Sequence, residues 1–230
     1  MKYKCIFFDL DHTLWDYETN SRETLEELFE TYALAARGVP DCHTFACRFS
    51  EINNALWDQY DRNEITRDVI RNDRFKKILE PFGAHEQKFS DMLSDEYLRL
   101  CPQKSHAMPN AVSTLNYLSQ RYKLIIITNG FEEIQHIKLA SAKLDHFFEH
   151  IITSQKAGCK KPSKGIFQYA LDTYNIQPHE AIMVGDNLVA DMEGARNAAI
   201  DNVFFNPLAI AHTSEVTHEI NDLKELCTFL

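Results

Sequence analysis

The feature that most constrains the fold of this chain is an alternation of short apolar runs with amphipathic segments of helical period in its C-terminal half. Strands and helices that alternate in this way are typical of a parallel sheet covered by helices on both faces. A similar apolar run near the N-terminus reads as one more buried strand. The predicted strand segments are KCIFFDL (4–10), KLIIITNG (123–130), HIITS (150–154), AIMVGD (181–186) and NVFFNP (202–207).

Residues 16–105 show a different pattern, in which apolar side chains recur at helical spacing. No segment in this range has the character of a strand. Asn20 and Glu23 are spaced like the two members of a capping box, which predicts that a helix begins at Asn20. We therefore expect an all-helical domain at 16–105, inserted into an α/β domain that is formed by residues 1–15 and 106–230.

Polar residues cluster where the predicted strands end. The carboxyl ends of parallel strands meet at one edge of the sheet, and open α/β sheets bind ligands at that edge. Separate segments of the chain therefore deliver acids, a hydroxyl and an amine to one crevice. These candidate site residues are Asp9, Asp11, Thr128, Asn129, Gly130, Lys161, Asp186 and Asp191.

The overall charge restricts the partners of such a crevice. Formal net charge is −10, and no run of Lys and Arg is long enough to follow a nucleic-acid backbone, so we expect polymeric nucleic acid and acidic membrane surfaces to be poor partners. The N-terminal segment lacks the longer apolar region and the small cleavage-site residues of a secretory signal, so we expect none, and no stretch approaches the ~20 apolar residues that span a bilayer. With scattered cysteines as well, we expect a cytoplasmic protein; the sequence makes no prediction of its oligomeric state.

The residue types at the predicted crevice favour phosphate chemistry. Several carboxylates that lie close together repel one another and need a cation, and oxygen ligands suit Mg²⁺, which also meets phosphate oxygens. Asp9 and Asp11 are two apart, so an extended backbone directs both to one face. One of the two carboxylates can attack phosphorus while the other donates and accepts protons. Thr128 and the N–H groups that follow it precede a helix, which is a natural phosphate cradle, and Lys161 can offset phosphoryl charge.

Four motifs, FFDLDHTL, IIITNG, KKPSKGIF and VGDNLVAD, resemble in order and spacing those of the haloacid dehalogenase superfamily of phosphatases. The resemblance implies a Rossmann-like core, with the helical insert at 16–105 acting as a cap. It also implies that Asp9 is the nucleophile, that Asp11 is the general acid and base, and that Thr128 binds phosphate. Lys161 would steady the nucleophile and the phosphoryl group. Mg²⁺ would be held by Asp9, the carbonyl of Asp11 and Asp186, with support from Asp191.

A longer match in the cap, NNALWDQYDRNEITRDVIRNDRF (53–75), together with residues 128–154, resembles the house-cleaning pyrimidine 5'-nucleotidases. That resemblance implies a pyrimidine nucleoside monophosphate as substrate. Other interpretations remain open: a phosphatase of sugar phosphates or phosphoglycolate, a mutase, or a binding module without turnover. Metal-independent dehalogenases need neither the second aspartate nor a metal, so Asp11 and Asp186 argue against that branch.

Several further side chains allow two interpretations. Aromatic residues at helical spacing are typical of a core rather than of stacking on a nucleobase, and this applies to Trp15, Tyr17, Trp57 and Tyr60. His12 is expected to be a turn residue rather than a catalyst. Arg67 and Arg74 either contact the nucleotide or lie in solvent.

Overall fold

The computed structural model describes residues 2–84 and 86–230. The chain divides into two compact units. One unit consists of Met1–Tyr17 together with Ser105–Leu230, and the other is Glu18–Lys104. Among the described residues, no helix combines the length and the apolar character of a bilayer-spanning segment.

The helical region consists of four main helices, and no strand occurs among its described residues. The helix at Cys42–Asp61 begins after Asp41, whose carboxylate accepts a hydrogen bond of 2.8 Å from the N–H of Thr44. The interior of the helical region is aromatic: the rings of Phe49 and Tyr97 have centroids 4.8 Å apart, and Phe75 packs against both. The helices are α1 (Tyr17–Thr31), α2 (Cys42–Asp61), α3 (Arg67–Leu79) and α4 (Gln87–Leu100).

The capping-box prediction for α1 was wrong. The helix begins at Tyr17, so Asn20 lies inside its first turn. Asn20 is buried, and its carbonyl accepts a hydrogen bond of 2.8 Å from the Thr24 hydroxyl. The Asn–x–x–Glu spacing is therefore part of the helix interior.

The other unit is built on a six-stranded sheet. Its strands are β1 (Cys5–Phe8), β2 (Lys123–Thr128), β3 (His150–Thr153), β4 (Ala181–Gly185), β5 (Asp201–Phe205) and β6 (His218–Ile220). Their order in the sheet is β3-β2-β1-β4-β5-β6, and all neighbouring pairs are parallel. The first five strands correspond to the predicted segments, whereas the last was not predicted. The prediction of an α/β fold with a parallel-sheet core and an all-helical insert is confirmed.

Both faces of the central strands are buried. Successive side chains point to opposite faces, and both Phe7 and Phe8 of β1 are fully buried. Phe7 shares one core cluster with Phe167 of the helix at Lys164–Tyr174. A π-helical turn at Leu188–Glu193 follows β4 and leads into the helix at Gly194–Asn197. The helices of this unit are α5 (Ala111–Leu118), α6 (Glu132–Ser141), α7 (Ser154–Ala157), α8 (Lys164–Tyr174) and α9 (Gly194–Asn197).

Candidate active site

The carboxyl ends of three adjacent strands bring two acids and a hydroxyl to one edge of the sheet. Asp9 follows β1, and its N–H donates a hydrogen bond of 2.9 Å to the carbonyl of Val184. Thr128 ends β2, and Asp186 follows β4. Because β1 lies between β2 and β4, these residues share the edge at which α/β sheets bind ligands.

Lys161 is a buried cation between two of the candidate acids. Its Nζ lies 2.5 Å from Oδ1 of Asp9 and 2.6 Å from Oδ1 of Asp191. Lys161 is only 2% exposed, and a buried lysine needs such partners because an unpaired buried charge is strongly unfavourable. The structure therefore brings Asp9, Lys161 and Asp191 together, as predicted for the crevice at the carboxyl ends of the strands.

The main chain of Lys161 is held by Asn129. The side-chain amide of Asn129 donates a hydrogen bond of 3.0 Å to the carbonyl of Lys161. In return, the N–H of Lys161 donates one of 2.9 Å to the amide oxygen of Asn129. The side chain of Asn129, a residue whose backbone N–H was predicted to bind phosphate, is thus directed to the segment that carries the lysine.

Asp191 packs directly on Gly185, the last residue of β4. Asp191 is fully buried, and its Oδ2 accepts a hydrogen bond of 3.1 Å from the N–H of Asn187. A Cβ atom at position 185 would lie 2.3 Å from that same Oδ2. Glycine at position 185 therefore leaves the space in which Asp191 reaches Lys161.

Asp9, Asp186 and Asp191 form an acidic cluster that is able to hold a metal ion. One carboxylate oxygen from each lies within 4.8 Å of the others. Thr13 donates a hydrogen bond of 2.9 Å to Oδ1 of Asp186. Within residues 2–84 and 86–230, Oδ2 of Asp9 and Oδ2 of Asp186 accept no hydrogen bond. Carboxylate oxygens of this kind are ligands that Mg²⁺ accepts, so the donor set fits such an ion.

Burial dominates the protonation behaviour of the cluster. It raises the pKa of Asp9 to about 7, assisted by the charges of Asp191 and Asp11 and opposed by Lys161. Burial and the charge of Asp9 raise the pKa of Asp186 to about 6. The pKa of Asp191 is raised by burial as well. Burial opposes the charged form of Lys161, but the charges of Asp191 and Asp9 outweigh this and raise its pKa. The cluster carries more acid than one ammonium can neutralise.

The turn after β2 is organised around the Thr128 hydroxyl. Its oxygen accepts a hydrogen bond of 3.0 Å from the N–H of Gly130, so its hydrogen is available for another acceptor. A Cβ atom at Gly130 would lie 2.5 Å from the amide nitrogen of Gln135. A side chain at position 130 would therefore have to displace the Gln135 amide, which donates a hydrogen bond of 2.8 Å to the carbonyl of Phe131. The turn leads into α6.

One buried cation near the candidate site, Lys138, was not predicted from the sequence. Lys138 of α6 donates to both carboxylate oxygens of Asp11, over distances of 2.7 and 2.8 Å. Nothing in its helical spacing marks Lys138 as buried, and its partner lies 127 positions away in the sequence. His12 lies in the turn that follows Asp11, with a φ of 63°.

The aromatic residues considered for base stacking have packing partners within their own units. Trp15 is fully buried. The Trp57 ring packs edge-on against Tyr60 at 5.6 Å, and the Tyr17 ring lies 4.9 Å from that of His12. Arg74 is 2% exposed, so the alternative that this residue lies in solvent was wrong.

Comparison with known proteins identifies the family. The model of the haloacid dehalogenase-like hydrolases matches residues 3–199. The chain belongs to this family. The resemblance predicted from the four motifs is confirmed, and all of the candidate site residues lie within the matched range.

Relatives of this hydrolase include enzymes that are named for phosphate-ester substrates. Pyrimidine 5'-nucleotidase YjjG of Escherichia coli is 30% identical over 97% of this chain and 98% of its own length. Glyceraldehyde 3-phosphate phosphatase of Pyrococcus furiosus is 32% identical over 100% of this chain and 93% of its own. The solved structure of the HAD-hydrolase YfnB from Bacillus subtilis, described as bound to magnesium, superposes with a TM-score of 0.89 at 27% identity. It covers 99% of this chain and 98% of that one.

Proposed function

We propose that this hydrolase cleaves phosphate monoesters through a phosphorylated Asp9 and that its substrates are pyrimidine nucleoside monophosphates. The observation that carries the chemistry is the arrangement around Asp9. One oxygen of this buried carboxylate accepts a hydrogen bond from Lys161, while the other accepts none from the described residues. A carboxylate that is fixed at one oxygen and open at the other is suited to in-line attack on phosphorus.

In the first displacement, an oxygen of Asp9 forms a bond to phosphorus and the bond from phosphorus to the ester oxygen breaks. Asp11, in its protonated form, donates a proton to the departing alkoxide, which leaves as the alcohol. Lys161 offsets the negative charge of Asp9 and of the transferred group. The Thr128 hydroxyl and the N–H of Asn129 bind phosphoryl oxygens. The N–H of Gly130, which donates to the Thr128 hydroxyl in the structure, turns to a phosphoryl oxygen when the substrate binds.

In the second displacement, Asp11 removes a proton from water, and the water oxygen forms a bond to phosphorus. The bond between phosphorus and the Asp9 oxygen breaks, which releases inorganic phosphate and regenerates the carboxylate. Asp11 ends this step protonated and ready for the next ester. The two steps together consume one ester and one water.

Asp9, the carbonyl of Asp11 and Asp186 would hold Mg²⁺, with Asp191 supporting the site through Lys161. A bound Mg²⁺ supplies positive charge to the phosphoryl oxygens. This assignment is supported by the acid surplus of the cluster and by the magnesium reported for the YfnB structure.

We further propose that the catalytic domain comprises residues 1–15 and 106–230 and that residues 16–105 form a cap that selects the substrate. The preference for a pyrimidine nucleotide is supported by the cap resemblance and by the match to YjjG over nearly its whole length. The partner is thus a small phosphorylated molecule rather than a polymer.

The test is Mg²⁺-dependent phosphate release from UMP, dUMP, dTMP, CMP, AMP, GMP and several sugar phosphates. Asp9→Asn is the blank, and Asp201→Asn is a matched control, because Asp201 begins β5 at the opposite edge of the sheet. We expect the pyrimidine nucleotides to be preferred, Asp9→Asn to be inactive yet folded, and Asp201→Asn to be active. Retention of most activity in Asp9→Asn would contradict the nucleophile assignment.

A second candidate substrate class is the sugar phosphates, which the match to the archaeal glyceraldehyde 3-phosphate phosphatase favours. The chemistry at Asp9 would be unchanged, and only the part of the substrate that the cap recognises would differ. A flat profile across the panel, or one that favours sugar phosphates, would support this candidate. Full activity in EDTA would instead point to a metal-independent dehalogenase.

A further inference from the structure

Lys138 is a buried lysine whose surroundings are made by the segment that carries Asp11. The residue lies on α6 and is only 5% exposed. Its Nζ contacts both carboxylate oxygens of Asp11, at 2.7 and 2.8 Å, and lies 4.7 Å from the centroid of the Trp15 ring. A lysine is rarely buried unless it is paired, and among the described residues Asp11 supplies the carboxylate in contact with it.

The main chain around Asp11 is fixed independently of that ion pair. The N–H groups of Leu14 and Trp15 both donate to the carbonyl of Leu10, and the N–H of His12 donates to the carbonyl of Trp15. These bonds close a tight turn whose last residue, Trp15, is fully buried. The turn holds the backbone of Asp11, but the two side-chain torsions of an aspartate still allow several rotamers.

We infer that Lys138 is a positioning residue that holds the Asp11 side chain in its working orientation. The ammonium of Lys138 lies against the Trp15 ring and donates two hydrogen bonds to the carboxylate of Asp11. These contacts restrict the carboxylate to one orientation. Proton transfer depends on such geometry, and a displacement of about 1 Å can lower a rate by about 100-fold. The inference rests on the proposed function, in which Asp11 is the group that transfers protons.

The positioning role of Lys138 predicts a specific kinetic signature. Asp11 acts twice, first on the leaving alkoxide and then on the attacking water, so loss of its orientation slows both displacements of a nucleotide. p-Nitrophenolate is a weak base and leaves without a proton. With p-nitrophenyl phosphate, a variant with a misplaced Asp11 therefore still phosphorylates Asp9, and only the second displacement becomes slow.

The experiment compares Lys138→Met and Lys138→Arg with wild type and with Asp11→Asn. Lys123→Met is the matched control, since Lys123 lies in the same unit and pairs with Glu149 at 3.2 Å in an exposed ion pair. For Lys138→Met we expect kcat with UMP to fall by about 100-fold with KM little changed. With p-nitrophenyl phosphate we expect a rapid burst of one p-nitrophenolate per enzyme, followed by slow turnover. Lys138→Arg keeps a cation with a carboxylate-matching fork and should recover most of the activity.

A merely structural role predicts another pattern. Lys138→Met would then lose activity on both substrates in proportion to its loss of folded protein, without a burst, and that result would overturn the inference. Activity equal to that of Lys123→Met, while Asp11→Asn is inactive, would overturn it too. Should Lys138→Met fail to fold, inactivity of a folded Lys138→Arg variant would also count against it. An active Asp11→Asn variant would remove the proposed function itself.

Discussion

The side chain of Asn129 and the main chain of Lys161 exchange two hydrogen bonds, of 3.0 and 2.9 Å, across 32 positions of sequence. The amide uses both its donor and its acceptor on this single residue. The ammonium group of the same lysine contacts Asp9 and Asp191. Asn129 therefore sets the segment from which Lys161 reaches the predicted nucleophile.

Asn129→Ala should lower kcat by at least about tenfold and stability by about 2 kcal/mol, because a part-buried N–H and C=O lose their partners. Steady-state kinetics and thermal unfolding would measure the two effects. Asn116 offers the control, since its amide donates only to an exposed carbonyl of its own helix, that of Val112. Asn116→Ala should stay within about 0.5 kcal/mol of wild type; equal effects of the two substitutions would refute the role given to Asn129.

Gly185→Ala should inactivate the enzyme and destabilise it by about 1–3 kcal/mol, since the new Cβ would meet the Asp191 carboxylate. A double-mutant cycle with Asp191→Ala isolates this collision. The cost of Gly185→Ala should be smaller when the Asp191 carboxylate is already absent. Additive changes in the free energy of unfolding would show that the collision is relieved in some other way.

The metal-free protein should be more stable near pH 6 than near pH 8. Asp9 and Asp186 have pKa values of about 7 and about 6, above the value of about 3.9 in an unfolded chain. The folded state therefore binds more protons across this window, and its stability falls as the pH rises.

Thermal unfolding in EDTA and in Mg²⁺ at both pH values measures this effect. We expect Mg²⁺ to raise the Tm more at pH 8, where the carboxylates are ionised, than at pH 6. A Tm in EDTA that is higher at pH 8 would contradict the prediction. Asp9→Asn should reduce the pH dependence, because one of the two titrating groups is gone.

Arg74→Met should unfold at a higher temperature than Arg74→Ala, and at no lower a temperature than wild type. The guanidinium is buried, donates 3.1 Å to the Asn53 amide oxygen, and leaves Nε and Nη2 without a hydrogen-bond partner in the described chain. It lies 4.6 Å from the Tyr97 ring centroid. Methionine keeps much of the volume without the buried charge, whereas alanine leaves a cavity that costs about 2–4 kcal/mol. A marked loss of stability in Arg74→Met would mean that the cation–π contacts outweigh the cost of burial.

The strands that carry the candidate site could be predicted because they are buried on both faces. Such strands read as continuous apolar runs, as in β1, β2 and β4. β6 could not be predicted: it has three residues, and His218 and Glu219 are exposed. The start of α1 was misjudged because the side chains of Asn20 and Glu23 fit a capping box as well as they fit a helix interior.

The acids of the candidate site could be predicted from their positions at strand ends, whereas two relationships between residues could not. The two hydrogen bonds between Asn129 and Lys161 depend on how two turns pack together, and no local sequence pattern encodes that packing. Lys138 lies in a helix at a position that sequence alone would assign to solvent, whereas in the structure its ammonium is buried 4.7 Å from the centroid of the Trp15 ring. Periodicity reports which face of an element is apolar, but pairs of polar groups from distant segments depend on the folded arrangement.

The position of β1 in the sheet also has a consequence for synthesis. β1 is synthesised before the other strands of the sheet, yet its partners are β2, which begins at Lys123, and β4, which begins at Ala181. The apolar residues of β1 therefore remain without their partner strands while more than a hundred further residues are synthesised. Glu18–Lys104 is contiguous and can begin to fold in that interval, and the candidate site is completed only once Asp186 and Asp191, which follow β4, have been made.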